Sequence, residues 1–320
     1  MSSRARRAAA CGRPQRLHRY ETAVADSLRW DAYRPRAGDV IVATAPKCGT
    51  TWTQMLCALL IHGPELPAPL TRLSPWLDRL STPIEALMAE LDAQPWRRVI
   101  KTHTPLDGLP YFEEVSYVFC GRDPRDAFLS MMDNMRNASP ATMAAVRARV
   151  GLPDSFTFPE DPNAFFPVWM TAPIHAWVED GFPIGSVFGT ARPFWAYRGL
   201  PNLHLAHYRD LVLDLGGELD RLAAFLGVAV DMERRGEFVA AAGLEAMRAR
   251  ADETAPGAHL GEWSSNRAFF AKGRLDAWRD GLSAENLALY EDLAPCRAQP
   301  ALRTWLEGGR WAADPKRERA

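Results

Sequence analysis

Lysine is scarce in this 320-residue chain. Of 38 basic side chains only four are lysine, Lys47, Lys101, Lys272 and Lys316. A chain that uses arginine for generic surface charge marks its few lysines as places that need a compact point charge. Neither sign of charge is in excess. The formal net charge of −1 gives no support to a nucleic-acid or anionic-membrane partner. Cysteine is sparse and scattered. The five thiols, Cys11, Cys48, Cys57, Cys120 and Cys296, show no Cys-x-x-Cys or other ligand-like spacing. That argues against a disulfide framework or a metal site and fits reduced thiols in a cytoplasmic protein. Long apolar runs are missing. The longest, MLCALLI at 55–61, falls far short of the about 20 residues a membrane span requires. The basic N-terminus offers only AAAC, too short for the apolar core of a signal peptide. Residues 1–37 therefore read as a basic, partly disordered segment.

What is present is enough for one domain with a large core, at 47% hydrophobic and 24% charged residues. Short apolar runs alternate with helical periodicity. DVIVATA (39–45), RRVIKTH (97–103), SYVFCGR (116–122) and LHLAHY (203–208) read as strands. Helices are expected over Thr50–Ile61, from Asp123 as N-cap with Pro124 next, and near 216–227. This alternation implies an α/β fold, a parallel sheet with helices on both faces. Proline-rich stretches at 62–96 and 138–185 interrupt it. Insertions over strand carboxyl ends usually shape a ligand pocket. The domain is expected over 38–310, with 311–320 as a tail.

Three strand ends carry chemistry. VIVATAPKCGTTW, residues 40–52, is a strand, a tight turn and a helix start. Amides from Lys47 to Thr51 can converge on an anion at that helix N-terminus. The hydroxyls of Thr50 and Thr51 add donors, and Trp52 offers either helix core or a ring for a purine. Lys47 precedes Gly49, so this is not the Gly-Lys-Ser/Thr loop of nucleoside-triphosphate enzymes. KTHTPLDGLP, residues 101–110, places Lys101 and His103 on one side of an extended chain. A histidine there can accept a proton near neutral pH. GRDPRDAFLS, residues 121–130, ends a strand in Arg122, whose planar fork suits a second phosphate.

Together these elements resemble the sulfotransferases that use 3′-phosphoadenosine 5′-phosphosulfate (PAPS), the cytosolic branch in particular, from about residue 38 to 293. Ala45-Pro46-Lys47-Cys48-Gly49-Thr50-Thr51-Trp52 is similar to the family's 5′-phosphosulfate loop. Lys101 to Pro105 matches its Lys-Thr-His-x-Pro segment, and Arg122 with Ser130 its 3′-phosphate segment. Tyr208 of HYRDL matches its adenine-contacting tyrosine, Met247 a nucleotide contact, and Lys272-Gly273 the end of its late Arg-Lys-Gly motif. The resemblance implies a P-loop-type sheet and PAPS as co-substrate with no metal. It implies His103 as base, with Lys47 and Lys101 neutralising charge on the leaving and transferring groups. Cys48 stands for the usual serine, Ala271 for the family's arginine, and Ala242-Gly243-Leu244 for its Thr-Ser-Phe. Arg274 or Arg267 is the expected substitute for the missing cation. The family's dimer motif is not recognisable in WRDGLSAENL (278–287), so a homodimer has no support here.

The expected acceptor is a small, largely apolar molecule with a hydroxyl. Met131, Met132, Met135, Trp76, Phe165, Phe166 and Trp169 are candidate pocket residues, plain helix core being the alternative for the methionines. Two other readings compete. A P-loop kinase would need a Gly-Lys-Ser/Thr loop and an acidic magnesium ligand. A non-catalytic nucleotide-binding descendant would explain Ala271 but not the retention of Lys47, Lys101 and His103.

Overall fold

Val40–Thr44 (β1), Val99–Thr102 (β2), Ser116–Gly121 (β3) and Leu203–His207 (β4) form one parallel sheet in the order β2-β1-β3-β4. The computed structural model describes residues 12–316 apart from 150, 154, 156, 184, 271 and 272. The strands are apolar runs because helices cover both faces. Side chains alternate across β1. Ile41 and Ala43 pack with Phe119, Phe128 and Trp195, whereas Val40 and Val42 pack with Leu56, Leu59 and Leu219.

Thr50–His62 (α1) follows β1 and leads through the first insertion to β2. Gly49 and Gly63 bound it with φ of 92° and 93°, backbone that glycine adopts without strain. Pro124–Asn137 (α2) is capped by the Asp123 carboxylate, which accepts from the Arg125 amide, and proline stands in its first turn. The LHLAHY strand ends one residue early. Tyr208 opens a short helix, Tyr208–Leu213 (α3), capped by the His207 ring, before Leu215–Leu226 (α4).

Strand order creates the site. From β1 the chain passes to β2 on one side, and β3 lies on the other. Such a reversal opens a crevice at the carboxyl ends of the strands. Register then sets neighbours. Thr44 pairs with Cys120, which brings the loop after β1 beside Arg122. Ala43 pairs with Thr102, which brings His103 beside Thr44.

The segment read as a basic tail behaves otherwise from residue 12 onward. Trp30 and Tyr33 are buried, with the Tyr33 hydroxyl donating to Asp39 at 2.6 Å. Burial of each such aromatic contributes on the order of 2–3 kcal/mol, which offsets the ordering of a strap. Arg16 and Arg19, read as tail charge, pair with Asp31 and Asp26. Charge counts alone hid the apolar residues spaced between those arginines.

Candidate active site

The loop after β1 is built for close approach. Lys47 has φ of 67°, a left-handed conformation that costs a non-glycine residue energy and recurs at functional sites. A Cβ on Gly49 would lie 3.2 Å from both Cys120 Sγ and the Tyr208 ring. Gly49 gives α1 no side-chain cap. Its first-turn residues Thr50 and Thr51 instead line a cavity of about 300 Å³, together with Lys47, Gly49 and Trp52. Free helix-terminal amides beside a cation make an anion cradle. The Cys48 side chain is buried and does not line the cavity, so this position can serve an anion only through its backbone.

Cations converge on that cradle. Lys47 Nζ donates to Asn134 Oδ1 at 2.9 Å and lies 4.3 Å from the Phe269 ring centroid. Lys101 Nζ lies 4.1 Å from the Trp76 ring centroid. Burial, reinforced by Arg122, pushes the Lys47 ammonium down to about 7. Burial and Arg79 push Lys101 down to about 7, against an opposing pull from Asp78. An anion among these cations would favour their charged forms. Arg122 donates to the Lys47 carbonyl at 2.8 Å, and its guanidinium sits 4.0 Å from the Tyr208 ring centroid. Its Nε is buried with no protein partner. An orphaned buried donor, with Ser130 also in the cavity lining, fits a phosphate.

His103 faces the same cavity. Its Nδ1 lies 2.8 Å from the Thr44 carbonyl oxygen. A carbonyl only accepts, so Nδ1 carries the proton in the neutral ring and Nε2 keeps its lone pair. The Trp76 ring meets the imidazole edge-on at 4.9 Å. Burial and then Lys101 push the imidazolium down to about 3, despite the bond to Thr44. The ring is neutral over the physiological range.

Tyr208, Met247 and Trp52 line the far wall, and Trp52 Nε1 donates to the Ala242 carbonyl at 2.9 Å. Trp52 is thus helix core and cavity wall at once. Gly273 does not line the cavity but sits against Leu244, which does. Lys272 and Ala271 lie outside the described residues. Neither candidate substitute reaches the cavity: Arg274 pairs with Asp280, and Arg267 is absent from the lining.

The other half of the cavity corrects the expected pocket. Met135 and Trp76 line it, but Met131, Met132, Phe165, Phe166 and Trp169 are core. The apolar stripe of α2 faces Phe165, Phe166 and Trp169. The helix turns Ser130 and Asn134, one turn apart, toward the cavity, and Ala138 just past its end also lines it. Asn134 was therefore legible as the residue one turn beyond Ser130. Both insertions do supply walls, among them Trp76, Arg79, Met143, Val146, Phe158 and Val178. The strap adds Tyr20, Val24 and Ala25. Arg79 pairs with Glu262 at the cavity wall, tying the first insertion to the late loop. No local pattern announced that pair. Among the described residues no cluster of side chains suits a metal ion, and no helix is long and apolar enough to cross a membrane.

The family model for the sulfotransferase domain matches residues 37–294. The chain belongs to the sulfotransferase family. It is a PAPS-dependent sulfotransferase by enzyme class. This sulfotransferase is 40% identical over 314 residues to a glycolipid sulfotransferase of Mycobacterium bovis, across 92% of this chain and 96% of that one. Its fold matches retinol dehydratase in complex with androsterone and inactive cofactor PAP, with TM-score 0.66 and 21% identity over 83% of this chain and 82% of that one. It also matches mouse sulfotransferase SULT7A1 complexed with PAP, with TM-score 0.61 and 19% identity over 86% and 89%.

Proposed function

We propose that this sulfotransferase moves the sulfuryl group of PAPS to a hydroxyl of a largely apolar, amphipathic acceptor, with His103 as the base. The observation that carries the reading is the convergence of a neutral imidazole and two lysines on one anion cradle at the junction of a polar and an apolar wall. His103 Nε2 takes the acceptor proton as the oxygen attacks sulfur. Nδ1, tied to the Thr44 carbonyl, holds the ring in the tautomer that can do so.

Lys47 is assigned to the bridging oxygen of the leaving phosphate and Lys101 to the oxygens of the transferring group. Stabilising charge where it develops is usually the largest catalytic term. The 5′-phosphosulfate is assigned to the backbone of Lys47, Cys48 and Gly49 with Thr50 and Thr51. Arg122 and Ser130 take the 3′-phosphate. Trp52, Tyr208 and Met247 enclose the adenosine. Lys272 and Gly273 complete this assignment by resemblance alone.

The acceptor end is walled by Met135, Met143, Val146, Phe158 and Val178. An acceptor with an apolar body and one hydroxyl directed at His103 fits such a chamber. The relative named as a glycolipid sulfotransferase supports a lipid-bearing hydroxyl over a charged acceptor. The proposed setting is the cytoplasm, with no nucleic-acid partner. The test is calorimetric titration with 3′-phosphoadenosine 5′-phosphate (PAP), then a screen of phenols, sterols and glycolipids with PAPS. Binding of PAP at micromolar or tighter affinity, and transfer abolished in His103→Ala with PAP binding kept, are expected. Transfer that persists in His103→Ala would remove the histidine from the role of base.

A further inference from the structure

Asp78 is fully buried, and three side-chain donors meet at one of its oxygens. Thr102 Oγ1 donates to Oδ2 at 2.5 Å, Thr104 Oγ1 at 2.6 Å and Trp30 Nε1 at 3.2 Å. The two threonines are the immediate neighbours of His103. The Thr104 amide in turn donates to Thr102 Oγ1 at 2.9 Å, which closes the turn around the histidine. Its other oxygen, Oδ1, is buried with no partner, and burial pushes the carboxyl up against the pull of the three donors; a carboxylate so placed is costly. A fold that needed only a filler here would be at least as stable with an apolar side chain.

The segment that carries Asp78 runs alongside β2 as a single extra rung. Trp76 bridges to Lys101 in parallel fashion. The Lys101 amide donates to the Pro75 carbonyl at 2.9 Å, and the Leu77 amide to the Lys101 carbonyl at 3.3 Å. The same segment presents the Trp76 ring to both Lys101 and His103. The Asp78 carbonyl is held by the Asp26 amide of the strap at 2.9 Å. The catalytic segment is thus gripped from the first insertion by backbone, ring and carboxylate together.

We propose that Asp78 is a positioning residue for sulfuryl transfer: through Thr102 and Thr104 it fixes the backbone that aims His103, and its carboxylate offsets the cations around Lys101. The inference rests on the assignment of His103 as base. Charge near Lys101 comes from Arg79 on the same insertion and Lys47 on the loop after β1, with Asp78 the opposing group; His103 on its own segment is neutral and adds none. Arg29 of the strap also feels Asp78. Removal of the carboxylate therefore lowers the pH at which Lys101 loses its proton.

The test compares Asp78→Asn with wild type and His103→Ala, using PAPS and the best acceptor from the screen. Asp78→Asn should lower kcat about tenfold or more, as misaimed catalytic groups do, and change PAP affinity less than about threefold. The alkaline limb of kcat/KM should move to lower pH. A part that is only structural would lower the folded fraction and leave that limb in place. Thr104→Val, near-isosteric with the carboxylate kept, guards against a variant that fails to fold. It should lower kcat severalfold, and its loss should be smaller in an Asp78→Asn background, because the two act through one bond. Folded Asp78→Asn and Thr104→Val with wild-type kcat and an unmoved limb, beside an inactive His103→Ala, would overturn the positioning role alone. An active His103→Ala would overturn the assignment of the base instead.

Discussion

The two ends of the cavity are made in different ways. The end assigned above to the donor is assembled from residues within a few positions of a strand terminus: Lys47 and Thr50 after β1, His103 after β2, Arg122 after β3 and Tyr208 after β4. The end assigned to the acceptor is assembled from the strap, two insertions and Met135 of α2. The first is polar, positively charged and held by backbone geometry. The second is mostly apolar and held by side-chain packing, with the Arg79–Glu262 ion pair as a tie. The difference teaches where perturbations should act. Changes at the donor end should alter chemistry or nucleotide affinity in large steps. Changes at the acceptor end should alter acceptor KM in small ones.

The largest expected break is at the reacting atoms. Lys47→Ala and His103→Ala should each lower kcat by about 10²- to 10⁴-fold, with circular dichroism unchanged. Arg122→Ala should follow. Loss of a charged hydrogen bond costs about 1.5–3 kcal/mol, so PAP affinity by calorimetry should fall about 10- to 100-fold with acceptor KM unmoved. A comparable rise in acceptor KM would mean the two ends are not separable.

The pH dependence sharpens the contrast. Lys47 and Lys101 are both pushed down to about 7 and His103 to about 3. Anions that bind between the lysines favour their charged forms and raise both values. The kcat/KM for PAPS reports the free enzyme and should decline as pH rises above about 7. The kcat reports the loaded enzyme and should hold to higher pH. Binding of PAP at pH 8 should take up protons, read as a dependence of binding enthalpy on the ionisation enthalpy of the buffer. Identical limbs in both profiles, with no proton uptake, would contradict the lysine assignments.

Acceptor-end effects should be modest. Met143→Ala removes a few methylene-sized contacts, worth about 1–3 kcal/mol, and should raise acceptor KM without changing PAP affinity. The smallest effect belongs to Cys48→Ser. The thiol points into the core, away from the cavity, so nucleotide affinity should change less than about threefold if the backbone does the binding.

Reading α2 from sequence illustrates a general limit. The period of Phe128, Met131, Met132 and Met135 identifies an apolar stripe, but not what covers it. Packing against Phe165, Phe166 and Trp169 claims the first three, and only Met135, at the edge, reaches the cavity. The strap shows the same limit from the other side. Its arginines suggested a solvated tail, while Tyr20, Val24 and Ala25 became cavity wall.

By itself, the sequence determined the four strands, the anion cradle and the residues that close each strand. Those features follow from local rules: an apolar run, a turn glycine, a helix start and a charged residue within a few positions. Tertiary structure alone decided the wall assigned to the acceptor, the Arg79–Glu262 tie beside it and the grip of Asp78 on the threonines beside His103. Those contacts join residues far apart in the chain. They form only when separate segments pack on one sheet, where burial and hydrogen-bond satisfaction choose the partners.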